Sequence, residues 1–269
     1  MRDITIGQYL SGNSFMHRMD ARVKVLLTVV FVVSVFLCKN FWSLLTMVLF
    51  VAVFILLSKV PVMTVLKSIK PLAFILLFTA ILNIFYVSGG NVLFEWKFIK
   101  ITDKGLYTAV FMAIRILCLV TFSSLLTYTT TPTALTDAIE KLLSPLKIFK
   151  IQVHSLAMMM TLALRFIPTL IEEIDRIMNA QKARGADLET GGFIKRAKAL
   201  IPILIPLFVS SFRRAYDLAF AMECRCYTGE GRTRMKQMKC GPRDAVASVL
   251  AAILIAAVIL LNHFFEKLI

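Results

Sequence analysis

The sequence predicts an all-α integral membrane protein. About five transmembrane helices are joined to a cytoplasmic or interfacial domain of long amphipathic helices. Three observations carry that prediction. First, 58% of the 269 residues are hydrophobic and the mean hydropathy is +0.79, whereas a soluble globule averages roughly 45–50% apolar residues. Second, the excess is gathered in uncharged runs close to the ~17–25 residues that a membrane crossing needs. Third, the net charge is +15, and 18 of the 31 Lys and Arg fall between Tyr128 and Ala245, with 11 acids beside them. So charged a block must be wet. The positive-inside bias puts it in the cytoplasm, next to anionic lipid headgroups. The basic residues flank apolar helices and form no single run, so nucleic acid is not an expected partner.

The chain divides into a membrane domain of four helices (1–129), a cytoplasmic domain (130–244) and a last transmembrane helix (245–269). Arg18, Arg22 and Lys24 abut the first span, Val23 to Cys38, and place the N-terminus inside. That run has no small-x-small cleavage site and is expected to stay as an anchor. His17 is expected to be an interfacial polar residue and not a metal ligand. Lys39-Asn40 makes a turn, and Phe41 to Ser58 is the second span. Lys24, Lys39 and Lys59 can snorkel to make up length. Lys59 to Pro71 carries Lys59, Lys67 and Lys70 and no acid, and predicts a short interfacial helix between two prolines. Pro71 to Val87 is the third span, and Ser88-Gly89-Gly90-Asn91 a turn. Val92 to Ile101 has strand-like composition and fits a small external hairpin.

Gly105 to Thr129 is the fourth span. Arg115 lies about ten residues in, roughly 15 Å deep at 1.5 Å per residue. It is the only charge in the interior of the five spans. It has two readings: an intramembrane charge marks function, or the guanidinium snorkels or bonds helix carbonyls inside the bundle.

Thr131 is an N-cap candidate and Pro132 suits the first turn of the next helix, whose apolar face is Leu135, Ile139, Leu142 and Leu143. Ile151 to Ile167 is apolar, but His154 and Arg165 argue against a clean span. From Pro168 to Lys182, Leu170, Ile171, Ile174, Ile177 and Met178 alternate at helical spacing with Glu172, Glu173, Asp175 and Arg176. Residues 151–183 therefore read as one long helix along or tilted into the inner leaflet, ended by Gly185 as a left-handed cap. A polar loop, Ala186 to Gly192, follows. Residues 193–226 repeat the plan, with Pro202 and Pro206 in an apolar stretch, then Arg213, Arg214 and Asp217 opposite Phe212, Leu218, Phe220 and Met222. Thr228 to Arg243 is a basic loop. Ala245 to Leu261 is the last span and puts the C-terminal tail outside.

Much chemistry is missing. No G-x-x-x-x-G-K-[ST] occurs to cradle nucleotide phosphates, and no H-E-x-x-H. No catalytic residue and no bound cofactor are expected. Cys38 and Cys118 lie in apolar runs and Cys224, Cys226 and Cys240 in the basic block, which is no disulfide framework. Cys224-x-Cys226 with Cys240 lacks a fourth metal ligand, so no metal site is expected. No acid lies in a clear span, so a proton- or sodium-coupled carrier lacks its coupling group.

Two short stretches stand out. Ala183-Arg184-Gly185 and, 41 residues later, Cys224-Arg225-Cys226 each set one Arg between small residues at the close of a charged helix. Small neighbours let another surface approach the backbone, and the planar guanidinium can bond carboxylates or carbonyls in pairs. Singly, either Arg could simply serve C-terminal carbonyls and the helix dipole. Repeated in the same position, they suggest two docking points for two copies of a soluble motor.

Here the sequence resembles the transmembrane (T) component of energy-coupling factor (ECF) transporters, the EcfT/CbiQ family. The likeness runs over nearly the whole chain. It is carried by Gly7-Gln8-Tyr9, Ser14, the run His17-Arg18-Met19-Asp20-Ala21-Arg22-Val23-Lys24 and the two Arg tips; the second tip departs from the usual Ala-Arg-small form by its two Cys. The resemblance implies a non-catalytic coupling subunit. Its coupling helices dock by Arg184 and Arg225 into two cytoplasmic ABC ATPases, which use the ATP and Mg. The chain also grips a membrane-embedded substrate-binding S component for a vitamin or a metal ion. The S-component face would involve Leu142, Met158, Met159, Met160, Leu170, Phe208 and Phe212, since Met and Phe suit changing partners. The alternatives are a scaffold holding a non-ATPase partner, a stand-alone permease, and a dedicated cobalt or nickel component.

Overall fold

A computed structural model describes residues 9–86, 89, 92–96, 99–150, 152–186, 192–229 and 241–266. Gly7-Gln8, most of the Ser88–Asn91 turn, most of the polar loop after Gly185, and most of the basic loop before Arg243 with Cys240 lie outside the described residues. The chain forms two compact units, one of Gly7–Ala138 with Gln237–Ile269 and one of Ile139–Lys236 with Met1–Ile6.

The first unit holds α1 (Ala21–Leu37), α2 (Phe41–Ser58), α3 (Val62–Ile69), α4 (Ala73–Tyr86), α5 (Asp103–Thr129) and α9 (Pro242–Glu266). A single 3-10 turn at Lys70–Leu72 links α3 to α4. Pro71 there has no N–H to continue an α-helical ladder, so the interfacial helix and the span become one interrupted run. The described strands β1 (Val92–Trp96) and β2 (Ile99–Thr102) pair antiparallel, Trp96 opposite Ile99, with a bulge between Val92 and Phe94. The hairpin expected from composition is present, as the one departure from all-α among the described residues.

In a bilayer, lipid tails are as apolar as leucine, so helices associate by close packing and hydrogen bonds. The packed centre is a cluster of rings. Phe31 stacks on Phe122 at 4.2 Å, Phe54 meets Phe50 at 4.5 Å, and Phe122 lies edge-on to Phe54 at 5.6 Å. α9 brings small and branched residues to it at helical spacing: Ala247, Ala251, Leu254 and Val258 are all buried. Outward residues such as Leu49, Leu56 and Phe74 are exposed apolar surface, as lipid requires.

Three helix ends meet in a polar knot. The Asp244 carboxylate accepts from the N–H of Gly241, just before its own helix, at 2.7 Å. Its other oxygen accepts from the N–H of Asp20, the N-cap of α1, at 2.9 Å. One carboxylate thus serves the positive ends of two helices. The side chain of Lys24, 3% exposed, donates to the last carbonyl of α5, Thr129, at 2.9 Å and to the Thr130 hydroxyl at 3.3 Å. Expected to snorkel, Lys24 instead caps a helix C-terminus inside the protein. His17 is likewise local: Nδ1 pairs with the Ser14 hydroxyl at 2.6 Å and Nε2 with the Leu10 carbonyl at 2.8 Å.

The other end of α1 is closed by side chains from afar. Asn262 of α9 donates to the Leu37 carbonyl at 2.8 Å. Arg115 of α5 donates to the Cys38 carbonyl at 2.6 Å, its guanidinium 4.7 Å from the centre of the Phe111 ring. Of its two readings, the geometry favours the carbonyl-bonding one: a cation at a helix C-terminus, where the dipole welcomes it.

The second unit holds the end of α6 (Pro132–Leu142), a 3-10 turn Ser144–Phe149, α7 (Val153–Ala183) and α8 (Phe193–Glu223). By length and composition six helical stretches among the described residues can cross a membrane: α2, Val62–Tyr86, α5, α7, Lys198–Glu223 and Pro242–Phe264. α1, at 17 residues, is at the short limit. α7 and α8, read from the sequence as amphipathic, join this set as its least apolar members.

Candidate functional site

The first tip is built by a helix that ends in a complete cap. The N–H of Gly185 bonds the Lys182 carbonyl at 3.0 Å and that of Ala186 the Gln181 carbonyl at 3.0 Å. These are the paired bonds of a Schellman motif. Gly185 takes φ +85°, and a Cβ there would meet nothing within 4 Å. Its requirement is torsional, about 1–2 kcal/mol for a residue with a side chain.

The second tip repeats that pattern 41 residues on. The N–H of Cys226 bonds the Glu223 carbonyl at 2.8 Å and that of Tyr227 the Met222 carbonyl at 3.0 Å. Here the left-handed position, φ +53°, is held by Cys226 and not by glycine. Arg184 and Arg225 occupy the same place in the two motifs. In both, the backbone itself fills the last carbonyls. Ala183, Arg184, Gly185, Cys224, Arg225 and Cys226 are all exposed. Among the described residues neither guanidinium has a hydrogen-bond or ion-pair partner. A purely capping role for the two side chains therefore has no bonds to rest on.

α7 and α8 run antiparallel. Gln181 Nε2 donates to the Pro202 carbonyl at 3.3 Å, Ser210 Oγ to Glu173 at 3.1 Å, and Arg214 pairs with Glu173. At the far end the Tyr227 hydroxyl donates to Met158 Sδ at 2.9 Å and lies 3.5 Å from His154 Nε2, whose Nδ1 is 3.1 Å from Glu140. The order of these pairs sets the tips at opposite ends of the helix pair. Met158 to Arg184 spans about 39 Å at 1.5 Å per residue.

Each tip is also tied to the other helix by a residue of its own cap: Gln181 for the first, Tyr227 for the second. The Gln181 bond has a specific cause. Pro206 has no N–H, so the Pro202 carbonyl, four residues earlier, has no donor in its own helix. Gln181→Leu should cost about 0.5–1 kcal/mol, the net worth of one exposed hydrogen bond. Adding Pro206→Ala, which supplies the missing N–H, should remove most of the loss. Thermal unfolding of the four chains of this double-mutant cycle measures it.

The residues expected to face an S component divide by exposure. Met159, Met160, Phe208 and Phe212 are exposed, and the two Phe rings meet edge to face at 4.7 Å. Leu142, Met158 and Leu170 are half-buried, and Met158 is occupied by Tyr227. Sequence reasoning missed the knot of Asp20, Lys24 and Asp244. Part of it was legible: Gly241-Pro242-x-Asp244 has the spacing of a cap, a first-turn proline and a third-position acid. Among the described residues no group of His, Cys, Asp and Glu is placed to hold a metal.

The family model CbiQ, described as cobalt transport protein, matches residues 12–236. A protein of Ruminiclostridium cellulolyticum named energy-coupling factor transporter transmembrane protein EcfT is 52% identical over 98% of this chain and 99% of its own length. One of the same name from Clostridium kluyveri is 52% identical over 99% of this chain and 100% of its own. Another, from Acidaminococcus fermentans, is 50% identical over 93% of each. Likeness at this level, carried over nearly the whole length of the chain, means that the chain belongs to the EcfT family of energy-coupling factor transporter transmembrane proteins.

Proposed function

We propose that this chain is the coupling subunit of an ECF-type importer. It links two cytoplasmic ABC ATPases to a membrane-embedded substrate-binding S component, for uptake of a vitamin or similar micronutrient. The observation that carries the reading is the pair of matching caps, each presenting one exposed arginine without a partner among the described residues, at opposite ends of an antiparallel helix pair. Two equivalent tips about 39 Å apart suit two equivalent grooves. In this reading Ala183, Arg184 and Gly185 meet one ATPase and Cys224, Arg225 and Cys226 the other. The exposed apolar residues Met159, Met160, Phe208 and Phe212 face the S component.

The chain binds no nucleotide itself; ATP and Mg belong to the ATPases. The basic block argues for a cytoplasmic coupling domain and N-terminus, and an external C-terminus. The cobalt description of the matching family model keeps a dedicated cobalt or nickel system as a second reading, because specificity would lie in the S component.

Co-expression tests this directly. The chain should co-purify with an ATPase pair and an S component, and vesicles should take up solute only when all are present. Vesicles containing the chain alone that hydrolyse nucleotide or concentrate a solute would overturn the reading.

A further inference from the structure

The two tips share a backbone geometry but not a chemistry. The first has Ala183 and Gly185 about its arginine; the second has two thiols. Both thiols are exposed, whereas Cys38 and Cys118 are buried. The second thiol sits at φ +53°, a conformation that glycine adopts readily and any side chain resists. The paired position on the first tip is a glycine, so the fold does not demand cysteine here.

We propose that Cys224 and Cys226 form a modification site for carboxylate-bearing low-molecular-weight disulfides, and that an adduct there closes the second tip to docking while the first stays open. The inference rests on the docking reading above. The step is thiol–disulfide exchange. The thiolate of one cysteine attacks one sulfur of the small disulfide. The reagent's S–S bond breaks, a protein–S–S–R bond forms, and one RS⁻ leaves; the protein thiol has given its proton to solvent. The cysteine is oxidised and the reagent reduced, and excess small thiol reverses the exchange.

Such an adduct does two things at Arg225. It adds bulk on the residue directly before or after it. It also holds carboxylates beside a guanidinium that has no partner among the described residues, where tethering gives them a high effective concentration. The adduct thus competes for the fork that an ATPase would use. Docking covers the tip, so exchange acts on the undocked chain and sets how much of it can assemble. In a reducing cytoplasm the site stays open; a rise in small disulfides closes it.

The probe is oxidised glutathione, added to the full chain in detergent. Intact mass counts the adducts, peptide mapping locates them, and capture of the ATPase pair is measured before and after. The expected result is an adduct at Cys224 or Cys226, capture weakened at least tenfold, and recovery with dithiothreitol. In an Arg184→Ala chain the same treatment should abolish what capture remains. Cys224→Ala/Cys226→Gly gives the second tip the Ala-Arg-Gly sequence of the first. Its capture, at whatever level, should be the same with and without reagent. Cys240→Ser should stay sensitive. Unchanged capture by a chain shown to carry the adduct at either cysteine would overturn the proposal. So would equal sensitivity of the double cysteine variant. If no untreated chain captures the ATPases, the docking reading itself fails, and this proposal with it.

Discussion

A chain carrying Arg184→Ala and Arg225→Ala together should insert and fold, yet fail to hold its ATPases. The folding half of that result follows from the caps. The last carbonyls of α7 and α8 bond backbone N–H groups of Gly185, Ala186, Cys226 and Tyr227, so truncating the arginines removes no bond from either helix end. Alanine is also the best helix former. The binding half follows from what a buried, hydrogen-bonded charge is worth at an interface, about 2–5 kcal/mol on truncation. Two such losses at separate tips approach additivity. Capture should fall by roughly a thousandfold or more, the lower figure corresponding to about 4 kcal/mol, and uptake should vanish with it. Arg184→Lys should recover only part of the single loss, because an ammonium cannot reproduce a planar two-point bond. Uptake at the normal rate by the double variant would remove the docking hypothesis.

The second large effect is expected at Asp244. Its carboxylate bonds the N–H groups of Gly241 and Asp20 and lies close to the buried Lys24. Asp244→Ala leaves those two donors unmet in a protein interior and takes a balancing charge from Lys24. An unmet buried donor costs about 1–3 kcal/mol, and loss of the opposite charge near the buried Lys24 adds to it in the same direction. Asp244→Asn, which keeps one acceptor but not the charge, should fall between. Thermal unfolding in detergent, with limited proteolysis of the α9 junction, reads the order Asp, Asn, Ala. A change below about 1 kcal/mol for alanine would mean that water already serves these groups.

The helices were legible because their signals are local. The run Phe41 to Ser58 is α2 to the residue. The long helix expected over 151–183 is α7, Val153–Ala183, with Gly185 as its left-handed cap. What the sequence hid is pairing across distance. Lys24 looked like a flanking lysine because its acceptors, Thr129 and Thr130, lie more than a hundred positions away. Arg115 stayed ambiguous for the same reason: the Cys38 carbonyl it serves is 77 residues earlier. The tips were visible as a repeat of small-Arg-small. Their matching hydrogen bonds were only half visible, because Cys226 in a left-handed conformation carries no glycine signal.

The prolines of the antiparallel pair do not face one another. Pro168 lies in α7 between Met158 and Glu173, whose partners are Tyr227, just past the end of α8, and Ser210 within it, so it lies opposite a stretch of α8 without proline. Pro202 and Pro206 lie by the last turns of α7, where Gln181 reaches across and no proline occurs. The weak points are offset like the joints of brickwork, so wherever one rod could flex, the other splints it.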